Sequence, residues 1–223
     1  MLKTKVCGLT SAENIQAIQM LNPDVMGFIF YPASPRYIGK LRPPELMSVV
    51  KAITPYIKRC GVFVDATLFD ILEAARSFEL AIIQLHGKES PAFCQGLKTL
   101  SNLKIMKAFG IHEGFDFDQL KAYEAVVDYF LFDTSTALRG GSGISFDWTI
   151  LKGYQGAKPY YLSGGLSVDS IKAIKETQQQ YPDVFDSRLI ALDINSQMET
   201  APGIKDPHLV KQFILEKNEL FCR

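Results

Sequence analysis

Short apolar runs alternate with helix-like segments along the whole chain, and this alternation restricts the fold more than any other feature. The runs are Leu2–Val6, Val25–Phe30, Lys58–Val64, Ala81–Leu85, Lys104–Ala108, Tyr129–Phe132, Tyr160–Leu162 and Leu189–Asp193. Their starts lie 23, 33, 23, 23, 25, 31 and 29 residues apart. A βα unit occupies roughly 30 residues or slightly fewer, so each interval fits one strand and one return helix. Amphipathic segments fall between the runs, at Ser11–Leu21, Leu68–Phe78 and Val168–Lys175, and another follows the last run at Pro207–Glu219. In the last of these, Leu209, Val210, Phe213 and Ile214 repeat at helical spacing. Helices are also expected near Phe117–Tyr123 and Phe146–Lys152. Regular alternation implies a parallel sheet with right-handed crossovers. Strands that are apolar throughout suit a sheet covered on both faces. Eight units predict an α/β fold, a closed (β/α)8 barrel of the TIM type forming a single domain over residues 1–223. A doubly wound open sheet is the competing architecture. The first strand is followed by Cys7-Gly8-Leu9-Thr10, which is not the G-x-G-x-x-G turn of a dinucleotide-binding start.

Composition narrows the partners. Lys plus Arg and Asp plus Glu each number 24, so the formal net charge is zero. A duplex-binding protein normally carries a basic excess, and nucleic acid is not expected. The four cysteines, Cys7, Cys60, Cys94 and Cys222, form no C-x-x-C pair, which argues against structural zinc. No apolar run approaches the roughly 20 residues that cross a bilayer. The chain reads as soluble and cytoplasmic, with no membrane partner and a monomer as the default state.

In such a barrel, ligands bind at the carboxyl ends of the strands. That rule selects Cys7 after the first strand, Arg36 after the second, Asp65 after the third and His86 after the fourth. Later strands add Asp133, then Ser163-Gly164-Gly165, then Asp193-Ile194-Asn195-Ser196. Glycine lets backbone amides approach a ligand closely, and successive amides ahead of a helix bind phosphate. Two glycine loops meet this description: Gly140-Gly141-Ser142-Gly143, and Gly164-Gly165 ahead of a helix starting near Val168 with Ser167 or a neighbouring residue at its cap. A thiol at a strand end can act as a base where amides or cations lower its pKa, although a buried cysteine is more often a small apolar residue. Asp133 closes an apolar strand, and partial desolvation there favours a proton donor. A rim aspartate held by hydrogen bonds is the plain alternative, for Asp193 as well. Arg36 can clamp a carboxylate through its fork, or be a solvated loop cation. His86 is a ligand contact or a capped loop residue. Asp65 and Trp148 read as rim and packing residues, and Cys60, Cys94 and Cys222 as structural.

Taken together and in order, these segments resemble the phosphoribosylanthranilate isomerase family of tryptophan biosynthesis. The matching segments include Lys5-Val6-Cys7-Gly8, Ser34-Pro35-Arg36-Tyr37, Gln84-Leu85-His86-Gly87 and Phe132-Asp133-Thr134. They continue with Gly140–Gly143, Ser163-Gly164-Gly165, Asp193 and Pro202-Gly203-Ile204-Lys205-Asp206. The resemblance implies an Amadori rearrangement of N-(5′-phosphoribosyl)anthranilate with no metal or organic cofactor. It implies Cys7 as general base and Asp133 as general acid. Arg36 would hold the anthranilate carboxylate. His86, Gly141, Gly143, Gly164, Gly165, Asp193, Asn195 and Ser196 would contact substrate, the glycine loops and the last strand end holding its phosphate. Two departures stand out. Asn195 and Gln197 occupy positions where the family usually has serine and glycine, and Ile144 replaces a frequent polar residue. A related histidine-pathway isomerase would need an aspartate where Cys7 stands, and a phosphosugar epimerase would need metal ligands. A barrel kept only for binding would leave Cys7 and Asp133 without a role.

Overall fold

A strand forms at each of the eight expected places. They are β1 (Lys3–Val6), β2 (Val25–Ile29), β3 (Lys58–Phe63), β4 (Ile82–Leu85), β5 (Lys104–Gly110), β6 (Tyr129–Asp133), β7 (Tyr160–Ser163) and β8 (Leu189–Ile194). The computed structural model describes residues 1–39, 43–133 and 147–221. Each strand pairs in parallel with its neighbour in sequence, and β8 pairs back with β1, closing the barrel. At the closure Lys5 lies level with Asp193 on one side and with Val25 on the other. The open-sheet alternative is thereby excluded.

Helices α1 (Ala12–Gln19), α2 (Pro44–Lys51), α3 (Leu68–Phe78), α4 (Pro91–Leu100), α5 (Val168–Gln180) and α6 (Pro207–Phe221) cover the outside. Local chemistry sets their starts. Ser11, Thr67 and Ser90 each accept a hydrogen bond from a backbone N–H three residues on, satisfying a donor that the first turn leaves open. The two remaining expected helices form as 3₁₀ helices, at Phe117–Tyr123 and Trp148–Gly153. Aromatic anchors explain the first of these. Phe115, Phe117 and Tyr123 pack edge-on against one another or against Phe109 and Phe132. A 3₁₀ turn rises about 2.0 Å per residue, so few residues suffice to lay these rings over β5 and β6.

The pleat divides the apolar side chains into two layers. Val25, Cys60, Ile82, Met106, Ala108, Leu131, Tyr161 and Ala191 fill the barrel interior. Alternate residues, among them Phe28, Ile83, Ile105, Phe130, Phe132 and Leu192, pack outward under the helices. Phe130 stacks on Phe132 and meets Phe109 and Tyr154 edge-on. A hairpin, β9 (Glu199–Ala201) with β10 (Ile204–Lys205), follows β8 and folds back against α1. Among the described residues, no helix is long and apolar enough to cross a membrane.

Phe130→Ala removes the ring shared by this outer aromatic cluster. Urea unfolding is expected to show a loss of about 3–5 kcal/mol. A loss under about 1 kcal/mol would mean that the cluster does not hold the helices to β5–β7.

Candidate active site

The period of two that fills the interior also selects the functional side chains. Counting upward from the interior apolar residues, the inward positions are Lys5 and Cys7 on and just after β1, and Gln84 and His86 on and just after β4. Asp133 on β6 and Asp193 on β8 share the inward parity. Four candidates from four separated parts of the sequence therefore meet at one barrel mouth, with Lys5 and Gln84 one step below.

Cys7 is a buried free thiol. It sits against the bare Cα of Gly27 on β2, where a β-carbon would lie 2.8 Å from its Sγ. Gly8, at φ +79, turns the chain away, and a β-carbon there would strike Asn195 Oδ1 and Arg36 Cδ. The strand end thus brings Cys7, Arg36 and Asn195 together. Burial pushes the thiol above its ordinary range, against the pull of Lys5 and Lys205.

Lys5 and Asp193 form a buried ion pair, with Nζ 2.6 Å from Oδ2. Burial works against the Lys5 ammonium, but Asp193 and the adjacent thiols outweigh it and keep the group protonated. Asp193 Oδ1 is buried and has no hydrogen-bond partner among the described residues. Across the mouth, His86 Nε2 lies 3.5 Å from Asp133 Oδ2, and His86 Nδ1 lies 3.0 Å from Gln84 Nε2. His86 is therefore a bridge between a buried amide and the candidate acid. Below it, Lys107 and Glu89 pair at 3.3 Å. Glu89 accepts from the amides of Asp65 and Gly87, and Lys107 donates to the Leu85 and Gly87 carbonyls. Asp65 in turn accepts from the Lys88 amide, which bears out its reading as a rim residue. Trp148 is buried against Phe185, a packing residue as expected, and Cys60 and Cys94 are buried too.

The Arg36 fork already engages a carboxylate. Nε donates to both Glu199 oxygens at 2.8 and 3.0 Å, and Nη2 reaches Oε2 at 2.6 Å. Glu199 also takes Lys205 Nζ and the Gly203 amide, and Lys205 Nζ donates to Asn195 Oδ1 at 2.7 Å. The Asn195 side-chain carbonyl thus extends an ion network that joins the segments after β2 and β8. Arg36, Lys205 and Glu199 sum to one positive charge, room for one further anion. Burial pushes the Glu199 carboxyl up, but hydrogen bonds from Arg36 and Lys205 prevail and hold it below its usual range. Ser196 is exposed at the rim and opens a short 3₁₀ turn.

Gly164 and Gly165, at φ 110 and 66, lead into α5, which begins at Val168 with Ser167 at its cap as the sequence predicts. The side of Gly165 that would carry a β-carbon faces open space. Gly141, Gly143, Ile144 and Cys222 lie outside the described residues. Sequence reasoning assigned no role to Lys5, Gln84, Glu199 or Lys205. For Lys5 and Gln84 the missed signal was parity, each lying two residues before a candidate on the same strand face. Among the described residues, no group of three His, Cys, Asp or Glu side chains is arranged to hold a metal ion.

Comparisons of the whole chain with known proteins point to one family. The sequence model of the N-(5′phosphoribosyl)anthranilate (PRA) isomerase family matches residues 4–216. N-(5′-phosphoribosyl)anthranilate isomerase of Phocaeicola vulgatus is 41% identical over 210 residues, covering 94% of this chain and 95% of that one. The crystal structure of phosphoribosyl anthranilate isomerase from Thermotoga maritima superposes with a TM-score of 0.82 at 31% identity, covering 99% of this chain and all of that one. A further structure, of a phosphoribosyl anthranilate isomerase in complex with reduced 1-(o-carboxyphenylamino)-1-deoxyribulose 5-phosphate, gives 0.78 at 27% identity and covers 99% and 100%.

The Glu199 network carries a pH signature. A carboxyl held below its unfolded value adds stability above that value and loses it as pH falls through the folded one. Glu199→Gln is therefore expected to lower Tm at neutral pH. The gap from wild type should close as pH falls below about 4, the ordinary glutamate range. A gap that stays constant down to low pH would deny the charge its role.

Proposed function

The chain belongs to the N-(5′-phosphoribosyl)anthranilate isomerase family, and we propose that its barrel mouth performs that family's Amadori rearrangement with Cys7 as general base and Asp133 as general acid. The reaction converts N-(5′-phosphoribosyl)anthranilate to 1-(2-carboxyphenylamino)-1-deoxyribulose 5-phosphate, an aldose-to-ketose isomerisation in tryptophan biosynthesis. The observation that carries the assignment is the meeting of one thiol and one carboxyl on opposite sides of a single mouth. They stand just after β1 and at the end of β6, with Asp193 and His86 between them.

The chemistry divides between them. Asp133 gives a proton to the ribose ring oxygen, and the ring opens to an iminium. Cys7 then removes the C2′ proton. The C–H electron pair becomes the C1′=C2′ bond, and the iminium nitrogen takes the displaced π electrons. The resulting enolamine relaxes to the ketone. His86, 3.5 Å from Asp133, stabilises its carboxylate once the proton has left. The anthranilate carboxylate is assigned to the edge of Arg36 turned away from Glu199. The phosphate is assigned to the Gly164–Gly165 amides at the start of α5, with the Ser196 end of β8, and with Gly141 and Gly143. Asp193, through its unpartnered Oδ1, is assigned to the anthranilate nitrogen. Asn195 is assigned a supporting place through Lys205. The working unit is proposed to be a cytoplasmic monomer, which light scattering on the purified chain would test.

With substrate generated in situ, turnover is followed as loss of its fluorescence. Cys7→Ala and Asp133→Asn are each expected to lower kcat by about 10²–10⁴, with folding unchanged by circular dichroism. Retention of wild-type kcat by either variant would remove that residue from its role. Gln197→Gly is expected to lower KM by restoring a closer amide approach to phosphate, and an unchanged KM would show that Gln197 does not limit binding.

A further inference from the structure

Gln84 stands on the inner face of β4, one pleat step below His86, and is 2% exposed. An amide at this depth is costly unless it is hydrogen-bonded, so its place in an otherwise apolar layer needs an account. Its side chain reaches up to the imidazole, with Nε2 3.0 Å from His86 Nδ1. The other ring nitrogen, His86 Nε2, lies 3.5 Å from Asp133 Oδ2. One ring thus meets a buried amide through one nitrogen and the proposed acid through the other. Gln84 Oε1 is buried and has no hydrogen-bond partner among the described residues, so the amide's contact with the ring runs through its donor end.

We infer that Gln84 is a positioning residue for the isomerisation: it donates from its amide to His86 Nδ1, fixes the neutral ring with its proton on Nε2, and so makes His86 a donor to Asp133 and never an acceptor of its proton. This rests on Asp133 being the general acid.

The chemistry of the two tautomers separates them. In a neutral imidazole one nitrogen carries the proton and the other accepts. A proton on Nδ1 would leave the Nε2 lone pair facing Asp133. The acid would then give its proton to the ring in place of the sugar oxygen, and the carboxylate left after transfer would face a lone pair. A proton on Nε2 reverses both effects. The acid keeps its proton for the sugar, and the new carboxylate meets an N–H. The 3.5 Å contact is long for a hydrogen bond, as such contacts often are before substrate binds.

The backbone leaves this choice to Gln84. The His86 amide donates to the Phe63 carbonyl. On either side of it, Lys107 donates to the Leu85 and Gly87 carbonyls, and Glu89 accepts from the Gly87 amide. Asp65, from the β3 loop, is taken up by the Lys88 amide. With the chain held at both neighbours, the ring is oriented by what meets its nitrogens, and Gln84 meets Nδ1 from below.

The test reads the ring directly. Nitrogen-15 chemical shifts of the imidazole are recorded at about pH 8, above the ordinary histidine range, with His86→Asn identifying the His86 signals. Wild type is expected to show Nε2 protonated and Nδ1 bare. Gln84→Met removes the amide at similar size. It is expected to give a mixture of tautomers and to lower kcat about 10–100-fold, the range for losing a partner that orients a histidine ligand, with KM little changed. Gln84→Glu, whose carboxylate accepts from Nδ1–H, is expected to move the proton to Nδ1 and to lower kcat further. The wild-type spectrum needs no variant, so it decides even where neither variant folds. A wild-type ring protonated on Nδ1 would overturn the inference. So would a folded Gln84→Met that keeps wild-type kcat, or one that loses kcat with its tautomer unchanged, which would leave Gln84 a packing residue. An Asp133→Asn variant with wild-type kcat would instead overturn Asp133 as the acid, and the use of the tautomer with it, whatever the ring shows.

Discussion

The ion pair between Lys5 and Asp193 is the constraint from which the rest of the site takes its form. It joins β1 to β8, the first strand to the last, at the seam where the barrel closes. Breaking a buried pair by removing one partner leaves an uncompensated charge and typically costs about 3–5 kcal/mol. The pair therefore penalises any register that separates these two residues. A slip of one residue along β1 would turn Lys5 and Cys7 outward and Val6 inward. One interaction thus closes the barrel in register and presents the thiol to the mouth.

Around that seam, charge is arranged in small neutral or singly charged sets. Lys5 with Asp193 is neutral, as is Lys107 with Glu89 under the β4 loop. Arg36, Lys205 and Glu199 leave one positive charge beside the thiol. A substrate with a carboxylate at one end and a phosphate at the other suits this layout. The proposed binding mode gives the carboxylate to the Arg36 set and the phosphate to the backbone amides across the mouth, where α5 begins. Glycine serves two distinct ends here. At Gly27 the missing β-carbon makes space for the sulfur, and at Gly8 a positive φ turns the chain between Arg36 and Asn195. A methyl group at Gly27 would press on the sulfur and backbone of the residue expected to do the chemistry.

The sequence carried the barrel plainly, because eight apolar runs at βα spacing leave few other closures. It also carried Cys7, His86, Asp133 and Asp193, because strand ends are where a barrel places its chemistry. It placed the helical segments at Phe117 and Trp148 but not their type, and at Phe117 aromatic packing, a tertiary effect, accompanies a 3₁₀ rather than an α-helical turn. The partners were harder to read than the candidates. Glu199 lies 163 residues from Arg36, and Lys5 lies 188 residues from Asp193, so no local pattern joins them. The ionisation of Cys7 was out of reach for a related reason, because the burial that raises its thiol against the nearby cations appears only once the barrel has closed.

The most direct measurement is a crystal structure of the chain with reduced 1-(o-carboxyphenylamino)-1-deoxyribulose 5-phosphate, the compound bound in one of the similar structures. The account predicts the phosphate on the Gly164–Gly165 amides, the anthranilate carboxylate on Arg36, and the sugar C2 beside Cys7 Sγ with Asp133 on the opposite side. A ligand lying the other way round in the mouth, or one whose C2 is out of reach of Cys7, would contradict it.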